Sequence, residues 1–172
     1  MQTRAASRMG VHGLDLSALR AVFEPLHSWL ELAKPGVTRL VLVTTLLGGV
    51  VAPGRLSFSH WLCVLLGTVL VVAAANALNM VSEADLDALM QRTRQRPLPS
   101  GRLDPSAAVR AALGAAVSGT ALLLCIGVVP AVLALMALVS YVWLYTPLKR
   151  ITPHALFVGA VPGAIPPLIG YA

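Results

Sequence analysis

The sequence predicts an all-α protein that forms a polytopic membrane bundle of about five transmembrane helices. Of its 172 residues, 57% are hydrophobic and only 12% are charged, and the mean hydropathy is +0.79. A soluble domain of this size carries about 25% charged residues. Most of the charged residues lie in the N-terminal arm and in two loops between long apolar runs. These observations together indicate an integral membrane protein.

The first 28 residues are moderately polar and are expected to form a cytoplasmic extension. They lack the compact apolar core and small-residue cleavage site of a secretory signal. The segment from Ser17 to Leu32 is predicted to be a helix that lies at the membrane interface. Its expected apolar face consists of Leu16, Leu19, Val22, Phe23 and Leu26. Residues 29–172 are then expected to form the membrane domain.

Five apolar segments of that domain are predicted to be spans, since a helix needs roughly 20 apolar residues to cross the bilayer core. They run from about 35 to 51, 60 to 80, 106 to 128, 131 to 145 and 152 to 172. Pro35 and the pair Asp104-Pro105 have the character of helix starts. Pro130 is the expected break between the third and fourth spans.

The basic residues predict the orientation of these spans. The N-terminal arm, residues 83–110 and the Lys149-Arg150 loop carry most of the Lys and Arg, whereas the turns at 52–59 and 127–130 contain only Arg55. Five alternating spans place all three basic segments on one side, which the positive-inside rule assigns to the cytoplasm. The net charge of +6 therefore requires no nucleic-acid partner. The expected location is the inner (plasma) membrane, with a cytoplasmic N-terminus.

The most informative stretch covers residues 79–101 and reads NMVSEADLDALMQRTRQRPLPSG. On a helix, Asn79, Glu83 and Asp87 share one face over roughly 12 Å of axis, while Asp85 falls on the opposite side. Three oxygen-bearing side chains suit Mg²⁺, which is typically held by one or two carboxylates together with phosphate oxygens. These three residues are therefore predicted to be the metal-binding and catalytic set.

The basic residues near this motif offer a complementary phosphate site. Arg92, Arg94 and Arg96 present forked donors to phosphate oxygens, and Lys149 adds a point charge from the next cytoplasmic loop. All four are predicted to bind phosphate groups of a substrate, which the resemblance described below implies to be a diphosphate. The alternative is an ordinary polar loop with solvated charges, which is the interpretation adopted for Asp85. Arg102 and Arg110 are expected to anchor the chain to lipid phosphates.

These motifs resemble a known superfamily, the UbiA-type intramembrane prenyltransferases, whose first motif is N-x-x-x-D-x-x-x-D followed by an R-P-L-P-x-G loop. The D-A-L-M-x-R-T run, the YTPLKRITP segment and the final GAVPGAIPPLIGYA are similar to the protoheme IX farnesyltransferases within it. The likeness extends from Trp29 to Ala172. Two departures exist: Glu83 replaces the usual first Asp, and no carboxylate follows Lys149, although the family has a second acidic motif in a later loop.

The resemblance implies farnesyl transfer from farnesyl diphosphate to the vinyl group of heme b, giving heme O, with Mg²⁺ as cofactor. It also implies roughly nine spans, so this chain is expected to be about half of the enzyme. On that basis the chain is either inactive alone, active as a homo-oligomer, or completed by a partner half. His154 is a candidate heme contact, but a capping or interfacial role is favoured for it.

Three other functions remain open at this stage. The first is prenyl transfer to an aromatic acceptor, as in quinone biosynthesis, and the second is a non-catalytic membrane fragment. The third, a transporter, is weaker because the charged residues lie in a cytoplasmic loop rather than at the bilayer midplane.

Overall fold

The structure is a computed structural model that describes residues 16–54 and 57–172, with side chains described from Glu24 onward. The described residues form helices and turns, without a β-strand among them. The helices are α1 (Leu16–Leu32), α2 (Pro35–Val51), α3 (Phe58–Leu89), α4 (Pro105–Leu124), α5 (Val128–Leu148) and α6 (Ala155–Tyr171). The expected extension before residue 16 and most of the predicted apolar face of α1 lie outside the described residues.

Helix lengths test the predicted number of spans. In the described part of the chain, α3, α4 and α5 are long and apolar enough to cross a membrane. A fourth span is reached if Glu24–Leu32 and Pro35–Val51, which are bent by 51° at their junction, count as one. Helix α6 is apolar but has only 17 residues. The predicted all-α membrane architecture is confirmed, but by length the count is three to four rather than five.

Helix α3 contains both the second apolar span and the polar motif. The span was predicted to end near Met80, and the helix continues to Leu89 without a break, which confirms the predicted helical spacing of Asn79, Glu83 and Asp87. The polar motif therefore lies on a regular helix that extends beyond the apolar run. The predicted starts of α2 and α4 are confirmed at Pro35 and Pro105. The side chain of Asp104 caps α4 by accepting a hydrogen bond from the Ala107 amide over 2.8 Å.

Glycines allow the helices to approach one another closely. A Cβ atom on Gly67 of α3 would lie 2.9 Å from the carbonyl oxygen of Gly119 on α4. One on Gly48 of α2 would lie 1.9 Å from the carbonyl oxygen of Pro167 on α6. Small residues are typical of membrane-helix interfaces, where close van der Waals packing replaces the hydrophobic driving force. These contacts fix α3 against α4, and α2 against α6.

Helix α5 contains a wide π turn over Ser140–Tyr145. The Thr146 hydroxyl, just after it, donates to the carbonyl oxygen of Tyr141 over 2.8 Å, five residues back. A π turn adds a residue and changes the direction in which the following side chains point, and such turns are frequent at functional sites. Here it brings Thr146 against the polar end of α3.

Candidate active site

The oxygen-bearing residues of the 79–101 motif lie on the buried face of α3. The exposed fractions of Asn79, Glu83 and Asp87 are 1%, 8% and 3%. Asp85 lies on the exposed side, where its Oδ1 atom is 3.2 Å from Nη2 of Arg150. Burying a carboxylate is costly unless it is paired. The arrangement therefore requires nearby cations.

Each of the three buried side chains has its own cationic partner. Lys34 Nζ donates to Asn79 Oδ1 over 2.7 Å, Lys149 Nζ lies 2.5 Å from Glu83 Oε1, and Arg96 Nη1 donates to Asp87 Oδ2 over 2.6 Å. We call these six residues the polar cluster. Its cations come from three separate parts of the chain: the α1–α2 connection, the residue after α5, and the loop after α3. The cluster is thus a product of tertiary packing.

Lys34 is a member of the cluster that sequence reasoning missed. Its φ angle of 49° is in the left-handed region, which is uncommon for residues other than glycine. Burial, followed by the positive charge of Arg96, lowers the pKa of the Lys34 ammonium to about 8. No distinguishing signal marks it in the sequence, because a lysine directly before a span is also what the positive-inside rule predicts.

Thr146 is a second residue that the sequence did not single out. Its hydroxyl accepts a hydrogen bond from Nδ2 of Asn79 over 3.0 Å. That contact determines which side of the Asn79 amide faces Lys34. Tyr145, the preceding residue, has its ring centroid 5.4 Å from Nζ of Lys149, within the range of a cation–π interaction. The end of α5 therefore orients both an oxygen ligand and a cation.

The four predicted diphosphate-binding cations fall into two pairs. Arg96 and Lys149 are in the polar cluster. Arg92 and Arg94 are exposed on the loop after α3 and form no ion pair with a carboxylate among the side chains that the structure describes. Their role in diphosphate binding stays a prediction.

Arg102 was expected to anchor the chain to lipid phosphates, but its side chain binds partners within the protein. Its guanidinium donates to Ser28 Oγ over 3.2 Å, to Glu31 Oε2 over 2.9 Å and to the carbonyl oxygen of Gln95 over 2.6 Å. It thereby joins the end of α1 to the loop of residues 90–104, which we call the arginine loop. The reason is local: the loop folds back over α1, so Arg102 finds partners within the protein.

An apolar cavity of about 170 Å³ lies between α2, α3, α5 and α6. Asn76, one turn before Asn79, and Tyr141 of the π turn are among its few polar lining residues. The rest of its wall is apolar and includes Val71, Leu138 and Gly163. No residue of the polar cluster lines the cavity, but Asn76 places the cavity wall one helical turn from Asn79.

The donor set determines what kind of metal site is feasible. Over residues 16–54 and 57–172, no group of three His, Cys, Asp or Glu side chains is placed to hold a metal ion. Asn79, Glu83 and Asp87 instead supply two carboxylates and one amide oxygen. Mg²⁺ is usually bound by one or two carboxylates plus substrate phosphates. The residues therefore fit an ion that is shared with a phosphate ligand, and they do not form a closed protein cage.

His154 occupies the N-cap position of α6, and its backbone amide donates to Thr152 Oγ1 over 3.3 Å. Its exposed ring stacks on Phe157, with the centroids 6.4 Å apart. The His154 side chain makes no capping hydrogen bond, so the structure does not support the capping role, and the interfacial role stays a prediction.

Comparison with known proteins identifies the family. Residues 41–172 match the UbiA prenyltransferase family. The chain is 48% identical over 141 residues to a protoheme IX farnesyltransferase of Anaeromyxobacter dehalogenans (strain 2CP-C), covering 81% of this chain and 48% of the relative. It is 50% identical over 143 residues to that of Myxococcus xanthus (strain DK1622), covering 83% and 49%. The chain spans about half the length of these curated relatives.

A solved structure shows the same fold. It comes from work described as "Structural and mechanistic insights into the biosynthesis of Digeranylgeranylglyceryl phosphate synthase in membranes". Its TM-score is 0.76 at 21% sequence identity, and the match covers 86% of this chain and 52% of that one. At this identity the likeness concerns the fold alone. With the family match over residues 41–172, we conclude that this chain belongs to the UbiA prenyltransferase family.

Proposed function

We propose that this chain supplies the diphosphate site of an enzyme that transfers a farnesyl group from farnesyl diphosphate to the vinyl group of heme b, giving heme O. The observation that carries the proposal is the polar cluster. Two buried carboxylates and a buried amide, each facing a cation, lie beside an apolar cavity. The acceptor is suggested by the names of the relatives.

In this proposal Asn79, Glu83 and Asp87 hold Mg²⁺ together with diphosphate oxygens. The ion would supply positive charge to the departing diphosphate. Arg96 and Lys149 lie beside the same carboxylates and would donate charge-assisted hydrogen bonds to the phosphate oxygens. These donors stabilise the negative charge that develops on the leaving oxygen as the carbon–oxygen bond breaks.

Arg92 and Arg94 complete the predicted diphosphate set. They are exposed on the arginine loop, and a diphosphate that enters from the cytoplasm would meet them before it reaches Arg96. Their contribution is therefore electrostatic attraction of the substrate, which raises the association rate and weakens with salt.

The isoprenoid chain would occupy the apolar cavity, which begins near Asn76 and Tyr141. The cavity excludes water from the allylic carbon, and so it protects an electrophilic carbon from hydrolysis. Its volume of about 170 Å³ is below the usual range of roughly 300–1,000 Å³ for ligand pockets. This chain alone therefore encloses only part of a farnesyl group.

The enzyme would lie in the inner membrane with the polar cluster at its cytoplasmic face. Lys149 and the arginine loop belong to the basic segments, which the positive-inside rule assigns to the cytoplasm. A charged diphosphate reaches the site from the aqueous phase, whereas the isoprenoid and the porphyrin partition toward the apolar interior.

The test is detection of the product by mass spectrometry. Membranes would contain either this chain alone or this chain joined to the part of the Myxococcus xanthus relative that it does not match. Both would receive heme b, farnesyl diphosphate and Mg²⁺, with 4-hydroxybenzoate as a competing acceptor. We expect heme O from the joined protein and none from the chain alone.

The other outcomes are informative. Prenylated 4-hydroxybenzoate without heme O would replace the proposed acceptor by an aromatic ring. Heme O from the chain alone would mean that a homo-oligomer suffices. The absence of every prenylated product from the joined protein would contradict the proposed transfer.

A further inference from the structure

We infer that Lys34 is an additional diphosphate-binding residue. Its ammonium group donates a hydrogen bond to Asn79 in the free protein and moves to a phosphate oxygen when the ligand binds. The inference rests on the proposed function, because it concerns the same site. It adds a residue from the α1–α2 connection to a set otherwise drawn from α3, the arginine loop and the end of α5.

The position of Lys34 is fixed by the connection around it. The carbonyl oxygen of Ala33 accepts hydrogen bonds from Asn76 Nδ2 over 3.2 Å and from Thr38 Oγ1 over 2.9 Å. The left-handed backbone at Lys34 persists because this surrounding network determines it. Backbone conformations of this kind cluster at ligand sites. The Lys34 ammonium is thus held at the polar cluster by its own connection as well as by Asn79.

The hydrogen bonding of Lys34 leaves capacity for an anion. An ammonium group has three donors, and within the described part of the chain one of them has a partner, the neutral amide oxygen of Asn79. The two carboxylates of the cluster are paired with Arg96 and Lys149 instead. A half-buried cation that faces only a neutral acceptor would gain a stronger, charge-assisted bond from a phosphate oxygen.

The net charge of the cluster also favours binding of a diphosphate by Lys34. Lys34, Arg96 and Lys149 carry three positive charges, and Glu83 and Asp87 carry two negative ones, which leaves one net positive charge. A diphosphate monoester bound to one Mg²⁺ carries about one net negative charge at neutral pH. Among the buried groups, the charges of the complete complex therefore sum to about zero when Lys34 is included, and the exposed Arg92 and Arg94 are solvated. Neutrality matters because an uncompensated charge is costly in a buried site.

Lys34 is expected to exchange Asn79 for a phosphate oxygen because the ammonium and the metal ion use the same atom of Asn79. Asn79 Oδ1 is both the proposed metal ligand and the acceptor of Lys34. An ion that binds this oxygen would repel the ammonium, and the nearest new negative charge is the diphosphate. Lys34 therefore keeps the amide oriented in the free protein and becomes a ligand of the substrate in the complex.

The first experiment measures the affinity for inorganic diphosphate in the presence of Mg²⁺ by calorimetry, using the purified chain at fixed ionic strength. We expect Lys34→Met to weaken binding about ten- to a hundredfold, as removal of a charged hydrogen bond does. Lys34→Arg should recover most of the affinity. Arg39→Met is the matched control, because it removes one positive charge at an exposed position five residues away, in α2, and it should change the affinity less than about twofold.

The second experiment needs no substitution, because Lys34 and Lys149 are the only lysines of the chain. Acetylation of the wild-type protein, followed by mass spectrometry, reports the reactivity of each. Diphosphate with Mg²⁺ should slow acetylation of both lysines. Protection of Lys149 alone, or unchanged affinity in folded Lys34→Met, would overturn the role of Lys34 and leave the proposed function intact. No binding of diphosphate by the wild-type chain, together with no prenylated product from the joined protein, would overturn both.

Discussion

The two halves of the 79–101 segment use their charges in different ways. On α3, Asn79, Glu83 and Asp87 are buried, and each has one cationic partner. In the arginine loop, Arg96 reaches the buried cluster, whereas Arg92 remains exposed. A helix gives every fourth residue nearly the same direction, but a loop has no such period. The spacing of residues along the sequence therefore distinguishes the functional residues from their neighbours on α3, but it does not do so in the arginine loop.

The largest expected effect compares two acidic residues of α3 that face opposite sides. Asp87→Asn removes a buried carboxylate from the proposed metal site, and in the joined protein we expect heme O formation to fall about a thousandfold or more. Asp85→Asn is the matched control. It removes only an exposed ion pair with Arg150, which solvent screens, so the rate should stay nearly unchanged. Initial rates of heme O formation measure both.

Two results would contradict this comparison. Unchanged turnover in Asp87→Asn would remove the metal-binding role from the residue. A comparable loss in Asp85→Asn would show that both faces of α3 take part in the reaction. Thermal unfolding of each variant in detergent serves as the control for loss of fold.

The sequence identified the α3 residues because its prediction depended only on helical periodicity. Lys34 and Thr146 were missed because they are 45 and 67 residues from Asn79 along the chain. Lys34 reaches Asn79 because Asn76 of α3 is hydrogen-bonded to Ala33 in the α1–α2 connection, and Thr146 reaches it because of the π turn of α5. Neither feature has a reliable signature in a single sequence. Composition predicted the membrane class and the apolar segments, but it did not reveal that the last of these segments forms a helix of only 17 residues.

The next effect concerns the arginine loop. Arg96→Gln leaves the buried carboxylate of Asp87 without its cation, so we expect a destabilisation of about 2 kcal/mol. The affinity for diphosphate with Mg²⁺ should fall about ten- to a hundredfold, because a charge-assisted bond is lost. Arg92→Gln should change this affinity less than about threefold. Calorimetry and thermal unfolding measure the two quantities separately.

This pair of variants also tests the original prediction that all the arginines bind the diphosphate. If Arg92→Gln weakens binding as much as Arg96→Gln, the arginine loop must close over the ligand. The contrast between a buried, paired α3 half and a partly exposed loop half would then hold only in the absence of ligand. An effect of Arg92→Gln on the association rate alone, suppressed by salt, would confirm electrostatic attraction.

The smallest effect concerns Arg102, which joins the arginine loop to α1 through Glu31 and the carbonyl oxygen of Gln95. Arg102→Ala should destabilise the chain by about 1 kcal/mol, since its ion pair is partly exposed and screened. Hydrogen exchange of the amides in residues 24–33 and 90–104 should accelerate. Arg110→Ala is the control, because among the described residues the Arg110 side chain donates one hydrogen bond, to Ser106 of its own helix. Since Arg102 lies outside the polar cluster, Arg102→Ala should change the affinity for diphosphate less than about threefold. If Arg102→Ala weakened binding as much as Arg96→Gln does, the loop as a whole would bind the ligand.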